Sequence, residues 1–103
     1  MPYAAVVNAA IWRELPRDEH DGARAALETL ARLDRALHSA QVSILDDSPL
    51  ENSYRLRFGR YRILFILFPD ERTLVFTTAF LKRRDADYGP AIVRHDSRVR
   101  SYE

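Results

Sequence analysis

The chain has 103 residues, 47% of them hydrophobic, a formal net charge of +1 and no cysteine. This composition predicts one globular domain over residues 1–103, and the low net charge gives only weak support to a nucleic-acid surface. The lack of cysteine excludes disulfides and thiolate metal sites. Because the sequence shows neither a signal-peptide pattern nor an apolar run long enough to cross a bilayer, we expect a cytoplasmic protein without a membrane partner.

The N-terminal half is predicted to form a short strand and two helices. The apolar run from Tyr3 to Val7 fits a strand, and Asn8 can cap a helix that Pro16 ends. A longer helix is expected to open at Asp18, because its apolar residues recur at intervals of three and four. These residues are Ala23, Ala26, Leu27, Leu30, Leu33 and Leu37. Such a stripe indicates a helix face packed on the core.

The C-terminal half is predicted to form most of a sheet. Residues 39–52 read as a connecting loop in which Val42 to Leu45 is briefly extended. Three successive strands are then predicted over Tyr54–Phe58, Tyr61–Phe68 and Thr73–Phe80. Gly59 provides the tight turn between the first two strands, and Ala91 to Arg100 forms a closing helix.

The predicted order is strand, helix, helix, three-stranded antiparallel meander, helix. This order describes an α+β domain in which the helices pack on one face of a small sheet.

The basic residues are concentrated in the half that forms the sheet. Residues 1–51 have five arginines against nine acidic residues, whereas residues 52–103 have ten arginines and Lys82 against six. Alternation along a strand places Arg55 and Arg57 on one face, and Arg62 joins them if the hairpin register sets it opposite. Lys82 and Arg83, at the end of the next strand, are expected to join the same hollow. Guanidinium groups bind phosphate through paired hydrogen bonds. The pattern therefore predicts a site for a polyanion or a pentavalent phosphate.

Several common enzyme sites are excluded. The glycines and histidines are Gly22, Gly59, Gly89, His20, His38 and His95. Three isolated glycines cannot build a phosphate-binding glycine loop or a nucleophile elbow, and the histidines are too scattered to suggest a zinc site.

A second pattern spans the arginine-bearing strands and the segment after them. Tyr54 to Phe58 is followed by Tyr61 to Phe65, then by Phe80 to Arg83, and finally by Tyr88. In combination these pieces resemble the RelE/HigB/ParE superfamily of type II toxin–antitoxin toxins, with the RelE/HigB branch preferred. The residue-level resemblance covers residues 52–88, and the predicted order of elements matches that fold over the whole chain.

The resemblance implies a ribosome-dependent mRNA endoribonuclease that inhibits translation. It also implies a cognate antitoxin that neutralises the toxin in a hetero-oligomer. RNA supplies its own nucleophile, the 2′-hydroxyl, so the implied reaction needs neither a metal nor a cofactor. Carried over by position, the implied catalytic residues are Arg57, Arg62, Arg83 and Tyr88, and the implied RNA-binding residues are Arg55, Arg60, Tyr61, Lys82 and Arg84. Arg62 and Arg83 would stabilise the phosphate, and Tyr88 would orient the RNA.

Arg55 and Arg57 stand where RelE-type members have functional lysines. Arginine stays protonated and cannot act as a general base, so another residue would have to accept the proton. Tyr88 and His95 are candidates by residue type, although a lone histidine on a terminal helix is typically a surface residue. Two other functions stay open: a ParE-like toxin that inhibits DNA gyrase without cleaving RNA, and a non-toxic interaction protein on the same scaffold.

Overall fold

In residues 2–33 and 35–102, which the computed structural model describes, the chain forms five strands and three α-helices, with four short 3-10 helices between them. The strands are β1 (Ala4–Val7), β2 (Val42–Ile44), β3 (Ser53–Phe58), β4 (Tyr61–Phe68) and β5 (Thr73–Leu81). The helices are α1 (Ala10–Glu14), α2 (His20–Arg32) and α3 (Tyr88–Tyr102). The predicted α+β order is confirmed, and the brief extension expected after residue 41 is β2. No helix in the described ranges is long and apolar enough to cross a membrane.

The strands form one mixed sheet in the order β1-β5-β4-β3-β2. Neighbours among β3, β4 and β5 run antiparallel, so the predicted meander is confirmed, and β2 extends it by pairing antiparallel with β3. β1 lies parallel to β5 at the other edge, with Ala4 opposite Thr73. The first strand of the chain therefore pairs with the last.

Helices cover both faces of the sheet, which differs from the expected packing on one face. Phe65 of β4 belongs to a core cluster that contains Leu27 of α2, whereas Leu64 belongs to a different cluster that contains Ile92 of α3. The physical reason is the run Ile63–Ile66, which is apolar at every position and therefore buried on both faces. We refer to the two sides of the sheet as the α1/α2 face and the α3 face.

A bulge in β5 provides a contact for α3. Phe65 pairs with Phe76 and Leu64 pairs with Thr78, so Thr77 is an extra residue on β5. The hydroxyls of Thr77 and Thr78 lie 3.1 Å apart, because the bulge turns both side chains to the α3 face. This feature gives α3 a polar anchoring point in an otherwise apolar core.

The outer edge of β5 extends past the end of β1, and side chains form hydrogen bonds with the backbone groups that β1 does not reach. The Glu14 Oε1 atom accepts the backbone N–H of Ala79 at 3.1 Å, and Nη1 of Arg98 donates to the carbonyl of Thr77 at 2.9 Å. Glu14 also pairs with Arg94 at 3.0 Å and with Arg98 at 2.9 Å. The carboxylate thus joins α1, β5 and α3.

Candidate functional site

A cleft with a volume of about 190 Å³ lies on the α3 face, beside the first residue of α3. The side chains that line it come from the segment around β2, from β3 and β4, and from the segment between β5 and α3. They are Gln41, Ser43, Arg55, Arg57, Arg62, Lys82, Asp85 and Tyr88. Four cations and one carboxylate give this basic cleft a positive potential that favours anions.

The register of the β3–β4 hairpin brings the arginines together. Arg55 and Arg57 are two residues apart on β3 and therefore point to the same face, while Leu56 between them is buried on the α1/α2 face. Arg62 of β4 lies directly opposite Arg57. These three arginines converge as predicted, whereas Arg83, expected in the same hollow, is exposed outside the lining of the cleft.

The three guanidinium groups are held in different ways. Nη1 of Arg62 donates to the carbonyls of Gly59 at 3.1 Å and Tyr61 at 2.8 Å, which fixes this side chain against the hairpin turn. The guanidinium carbon of Arg55 lies 5.1 Å from the centre of the Tyr88 ring, a cation–π contact. No carboxylate in the described ranges pairs with Arg55, Arg57 or Arg62. Guanidinium donors in the cleft therefore remain available to an anion.

Lys82 and Tyr88 complete the wall of the cleft next to α3. Nζ of Lys82 lies 3.5 Å from Oδ1 of Asp85, but the Asp85 side chain is fully exposed, so solvent weakens this ion pair. Tyr88 is 8% exposed, and its ring packs edge-on against Phe80 at 5.1 Å and has Arg55 above it. Tyr88 therefore positions Arg55 and does not present an open stacking surface.

Four of the sequence-predicted site residues lie outside the lining of the cleft: Arg60, Tyr61, Arg83 and Arg84. Tyr61 packs on the core of the α1/α2 face, and the three arginines are exposed. The backbone N–H groups of Arg83 and Arg84 donate to Oδ2 of Asp87 at 2.8 and 3.0 Å. These two hydrogen bonds lower the pKa of Asp87, and they hold the backbone of the Lys-Arg segment in place.

Comparison with known proteins yields matches among solved structures. No family model and no curated protein matches the sequence. An Escherichia coli RelE mutant in the free state is 15% identical with a TM-score of 0.65, over 91% of this chain and 98% of that chain. The RelBE toxin–antitoxin complex of Mycobacterium tuberculosis is 17% identical with a TM-score of 0.62, over 80% and 100% of the two chains. The RelE–RelB complex of Pyrococcus horikoshii is 15% identical with a TM-score of 0.62, over 82% and 99%. The chain has the RelE fold.

At these identities the likeness establishes the RelE fold and leaves the roles of individual side chains to the geometry of the cleft. The predicted resemblance is confirmed at that level. In the described ranges, no group of three or more His, Asp or Glu side chains is placed to hold a metal ion.

His95 lies in the core of this RelE fold and not on the surface, where lone histidines of terminal helices are usually found. It is fully buried, with Nε2 at 2.9 Å from Oγ of Ser53 and Nδ1 at 2.6 Å from Oγ1 of Thr77. A neutral ring satisfies both contacts: Nδ1–H donates to Thr77, whose hydroxyl donates to the Leu64 carbonyl, and Nε2 accepts from Ser53. Burial lowers the pKa of His95, against a smaller opposing effect of Asp96. His95 is therefore a packing residue in this structure, and of the two residues considered as proton acceptors only Tyr88 lines the cleft.

The sequence patterns missed three cleft residues, Gln41, Ser43 and Asp85. Gln41 and Ser43 enter the cleft because β2 pairs with β3, with Ser43 opposite Arg55. A three-residue strand inside a polar segment carries too little periodicity to predict this pairing. The position of Asp85 in the cleft could have been predicted, because it follows Lys82 by three residues in a tight turn and can pair with it.

Proposed function

We propose that this chain is the toxin of a type II toxin–antitoxin pair and that its basic cleft cleaves mRNA on the ribosome. The observation that supports this proposal is the convergence of Arg55, Arg57, Arg62 and Lys82 in one cleft of a RelE-fold domain. A cognate antitoxin would neutralise the toxin. Two of the matched structures are themselves complexes of RelE-type toxins with antitoxins.

The proposed reaction is an internal transesterification of RNA. The 2′-oxygen attacks the adjacent phosphorus and forms a P–O bond, while the bond from phosphorus to the 5′-oxygen breaks. One proton leaves the 2′-hydroxyl and one proton reaches the departing 5′-oxygen, so the products are a 2′,3′-cyclic phosphate and a 5′-hydroxyl. The phosphorane gains negative charge on its equatorial oxygens, and a catalyst stabilises that charge with preorganised donors.

The arginines of the cleft are suited to that electrostatic task. Arg62 is fixed by two backbone carbonyls and faces Arg57 across the strand pair, so a phosphate between them can accept hydrogen bonds from both. Arg55 is fixed by Tyr88. Holding the donors before the substrate arrives reduces the reorganisation needed in the transition state.

Proton transfer requires a residue other than arginine. Among the residues that line the cleft, Lys82, Asp85 and Tyr88 have exchangeable protons or can accept one. We assign proton transfer to this group and charge stabilisation to the arginines. Arg60, Arg83 and Arg84 are proposed to contact RNA or ribosome outside the cleft, where their exposed side chains extend the basic surface.

The test is controlled expression in bacterial cells, followed by mapping of new 5′ ends in translated mRNA. The wild-type chain is expected to stop growth and to produce cuts with 5′-hydroxyl ends. Arg57→Ala and Arg62→Ala are each expected to lower cleavage roughly a hundred- to a thousandfold, as removal of one positioned donor does in other enzymes. Arg13→Ala is the matched control, because Arg13 is exposed on α1 and does not line the cleft.

Other outcomes would contradict the proposal in distinguishable ways. Intact mRNA together with DNA damage would indicate a gyrase inhibitor of the ParE type. Normal growth with a folded, soluble wild-type chain would indicate an interaction protein that uses the same scaffold.

A further inference from the structure

The outer edge of β1 is open to solvent and carries no charge. β1 is one of the two edge strands of the sheet, and all four of its residues are apolar. Ala4 and Ala5 are exposed, and Val6 is 36% exposed. Edge strands of soluble proteins are usually protected by charged side chains, proline or a bulge, and β1 has none of the three. Such an edge can pair with another strand.

The backbone groups of β1 point alternately towards β5 and away from it. The N–H groups of Ala4 and Asn8 donate to carbonyl groups on the β5 side, at 3.0 and 2.9 Å. Ala5 and Val7 therefore direct their N–H and C=O groups away from the sheet. Neither of these two N–H groups has a hydrogen-bond acceptor within residues 2–33 and 35–102. The edge thus offers two donors and two acceptors to a further strand.

A groove of about 200 Å³ adjoins this edge on the α1/α2 face. Ala5 and Val7 line it from β1, whereas Arg24 and Glu28 line it from α2, one helical turn apart. The contact of Arg24 with Asp21, at 3.9 Å, is weakened because both side chains are exposed to solvent. Glu28 forms no ion pair in the described ranges. The groove therefore presents one charge of each sign beside an apolar strand.

We propose that two copies of this chain pair through β1, antiparallel, about a two-fold axis at Val6. Ala5 of each copy then lies opposite Val7 of the other, and each of these pairs exchanges both backbone hydrogen bonds. Val6 lies opposite Val6 of the second copy, in a non-hydrogen-bonded pair whose side chains are close together. The two sheets become one continuous sheet.

A second copy suits this edge because the two-fold axis matches charge as well as backbone. The axis reverses the direction of α2, so Arg24 of one copy is brought towards Glu28 of the other, and the same contact forms twice. The arginines of the basic cleft lie on β3 and β4, which β5 separates from β1, so pairing leaves the cleft open. This inference is therefore independent of the proposed function.

The first test exploits the lack of cysteine in the sequence. Val6→Cys introduces one thiol, and the two-fold axis brings it beside the same thiol of the second copy at a spacing that allows a disulfide. With oxidised glutathione as the oxidant, we expect covalent dimers to form at least about tenfold faster than for Ile44→Cys, because paired thiols react at a high effective concentration. Ile44 is the matched control, since it is 63% exposed on β2, the other edge strand. Equal rates would contradict the proposed register.

The second test is sedimentation velocity of the wild-type chain at concentrations up to about 1 mM, where weak association is populated. The wild type is expected to form dimers as its concentration rises. Val6→Glu sets two carboxylates opposite each other and should weaken the dimer at least about tenfold, and Val6→Lys should do the same with two ammonium groups. An equal mixture of the two variants should dimerise again, because opposite charges then face each other. Ile44→Glu makes the same change on β2 and should leave the dimer intact.

Several outcomes would overturn the inference. A wild type that stays monomeric up to the highest concentration would do so, and so would a dimer that Val6→Glu leaves intact, because that dimer uses another surface. If the two charged variants are folded by circular dichroism but their mixture stays monomeric, the two-fold pairing at Val6 is wrong. If the wild type is monomeric and Val6→Glu instead abolishes binding of the antitoxin, the edge of β1 belongs to that partner. Cleavage of mRNA should be unchanged in Val6→Glu, whichever oligomeric state is found, so the proposed function is tested separately.

Discussion

Lys82 and Arg83 are neighbours in the sequence, yet Lys82 lines the basic cleft and Arg83 is exposed outside it. The Lys-Arg pair alone could not predict which cation turns inward, because adjacent side chains of extended backbone point in opposite directions. The backbone N–H of Lys82 donates to the Arg60 carbonyl at 3.0 Å, which extends the β4–β5 pairing and fixes the direction of its side chain.

This placement predicts unequal effects of two matched substitutions. Lys82→Gln is expected to lower single-turnover mRNA cleavage roughly ten- to a hundredfold, because it removes a cation and a proton donor from the cleft. Arg83→Gln removes the same charge from the exposed surface and should change the rate less than about threefold. A larger loss for Arg83→Gln would show that Arg83 takes part in the cleavage step and would contradict its assignment to contacts outside the cleft.

His95 predicts a pH dependence of stability. Because burial lowers its folded pKa below the ordinary value of 6.5, the unfolded chain binds a proton that the folded chain excludes. The free energy of unfolding should therefore be highest above pH 6.5 and fall as the pH drops from 6.5 towards the folded pKa. His95→Gln should remove this dependence and cost about 1–3 kcal/mol at pH 8 by disturbing the contacts to Ser53 and Thr77.

Urea unfolding at a series of pH values measures both effects. His38→Gln is the control, because His38 is exposed on a short turn and should leave the pH dependence of the wild type unchanged. An identical pH dependence in His95→Gln would contradict the assignment.

The β3–β4 hairpin depends on backbone conformation at one position. Gly59 has a φ of +56°, and no atom lies within 4 Å of where its Cβ would stand. Gly59→Ala is therefore expected to cost about 1 kcal/mol through backbone strain and not through a clash. Gly22→Ala, inside α2, should be neutral or stabilise by up to about 1 kcal/mol, since helical glycine is unfavourable. Chemical denaturation compares the two, and equal effects would contradict the strain argument.

Replacing Glu14 is expected to destabilise the structure locally, at the open edge of β5. Glu14→Ala leaves the Ala79 N–H without its acceptor and removes the carboxylate that pairs with Arg94 and Arg98, and should cost about 1–3 kcal/mol, the range for leaving a buried donor unsatisfied. Because the carboxylate is 18% exposed, the lower end of that range is expected. Amide hydrogen exchange should accelerate at Ala79 before global unfolding. Glu28→Ala, at an exposed position of α2, should change stability by less than about 0.5 kcal/mol.

Sequence patterns predicted the elements of this fold better than their packing. The meander and the arginine face follow from alternation within β3 and β4, which is a local signal. The parallel pairing of β1 with β5 joins Ala4 to Thr73 across nearly the whole chain, and no local pattern encodes it. The bulge at Thr77 reverses the alternation of β5 and opens a site for His95, so the burial of this histidine could not be predicted either.

At the scale of the whole molecule, charge is divided between the two halves of the chain. The N-terminal half, which forms α1 and α2, has nine acidic residues against five arginines, whereas the C-terminal half has eleven basic residues against six acidic ones. RNA should therefore approach the C-terminal half, where the basic cleft lies.

The salt dependence of RNA binding tests whether the unequal charge of the two halves directs RNA to the cleft. For single strands, the logarithm of the binding constant falls with the logarithm of salt concentration by about 0.7 for each phosphate neutralised. Arg57→Gln should reduce the slope by about 0.7, because it removes one phosphate contact from the cleft. Arg13→Gln removes the same charge from the acidic half and should leave the slope unchanged. Fluorescence anisotropy with a labelled RNA oligonucleotide over a salt series measures both slopes. Equal reductions would mean that RNA responds to net charge and not to the cleft.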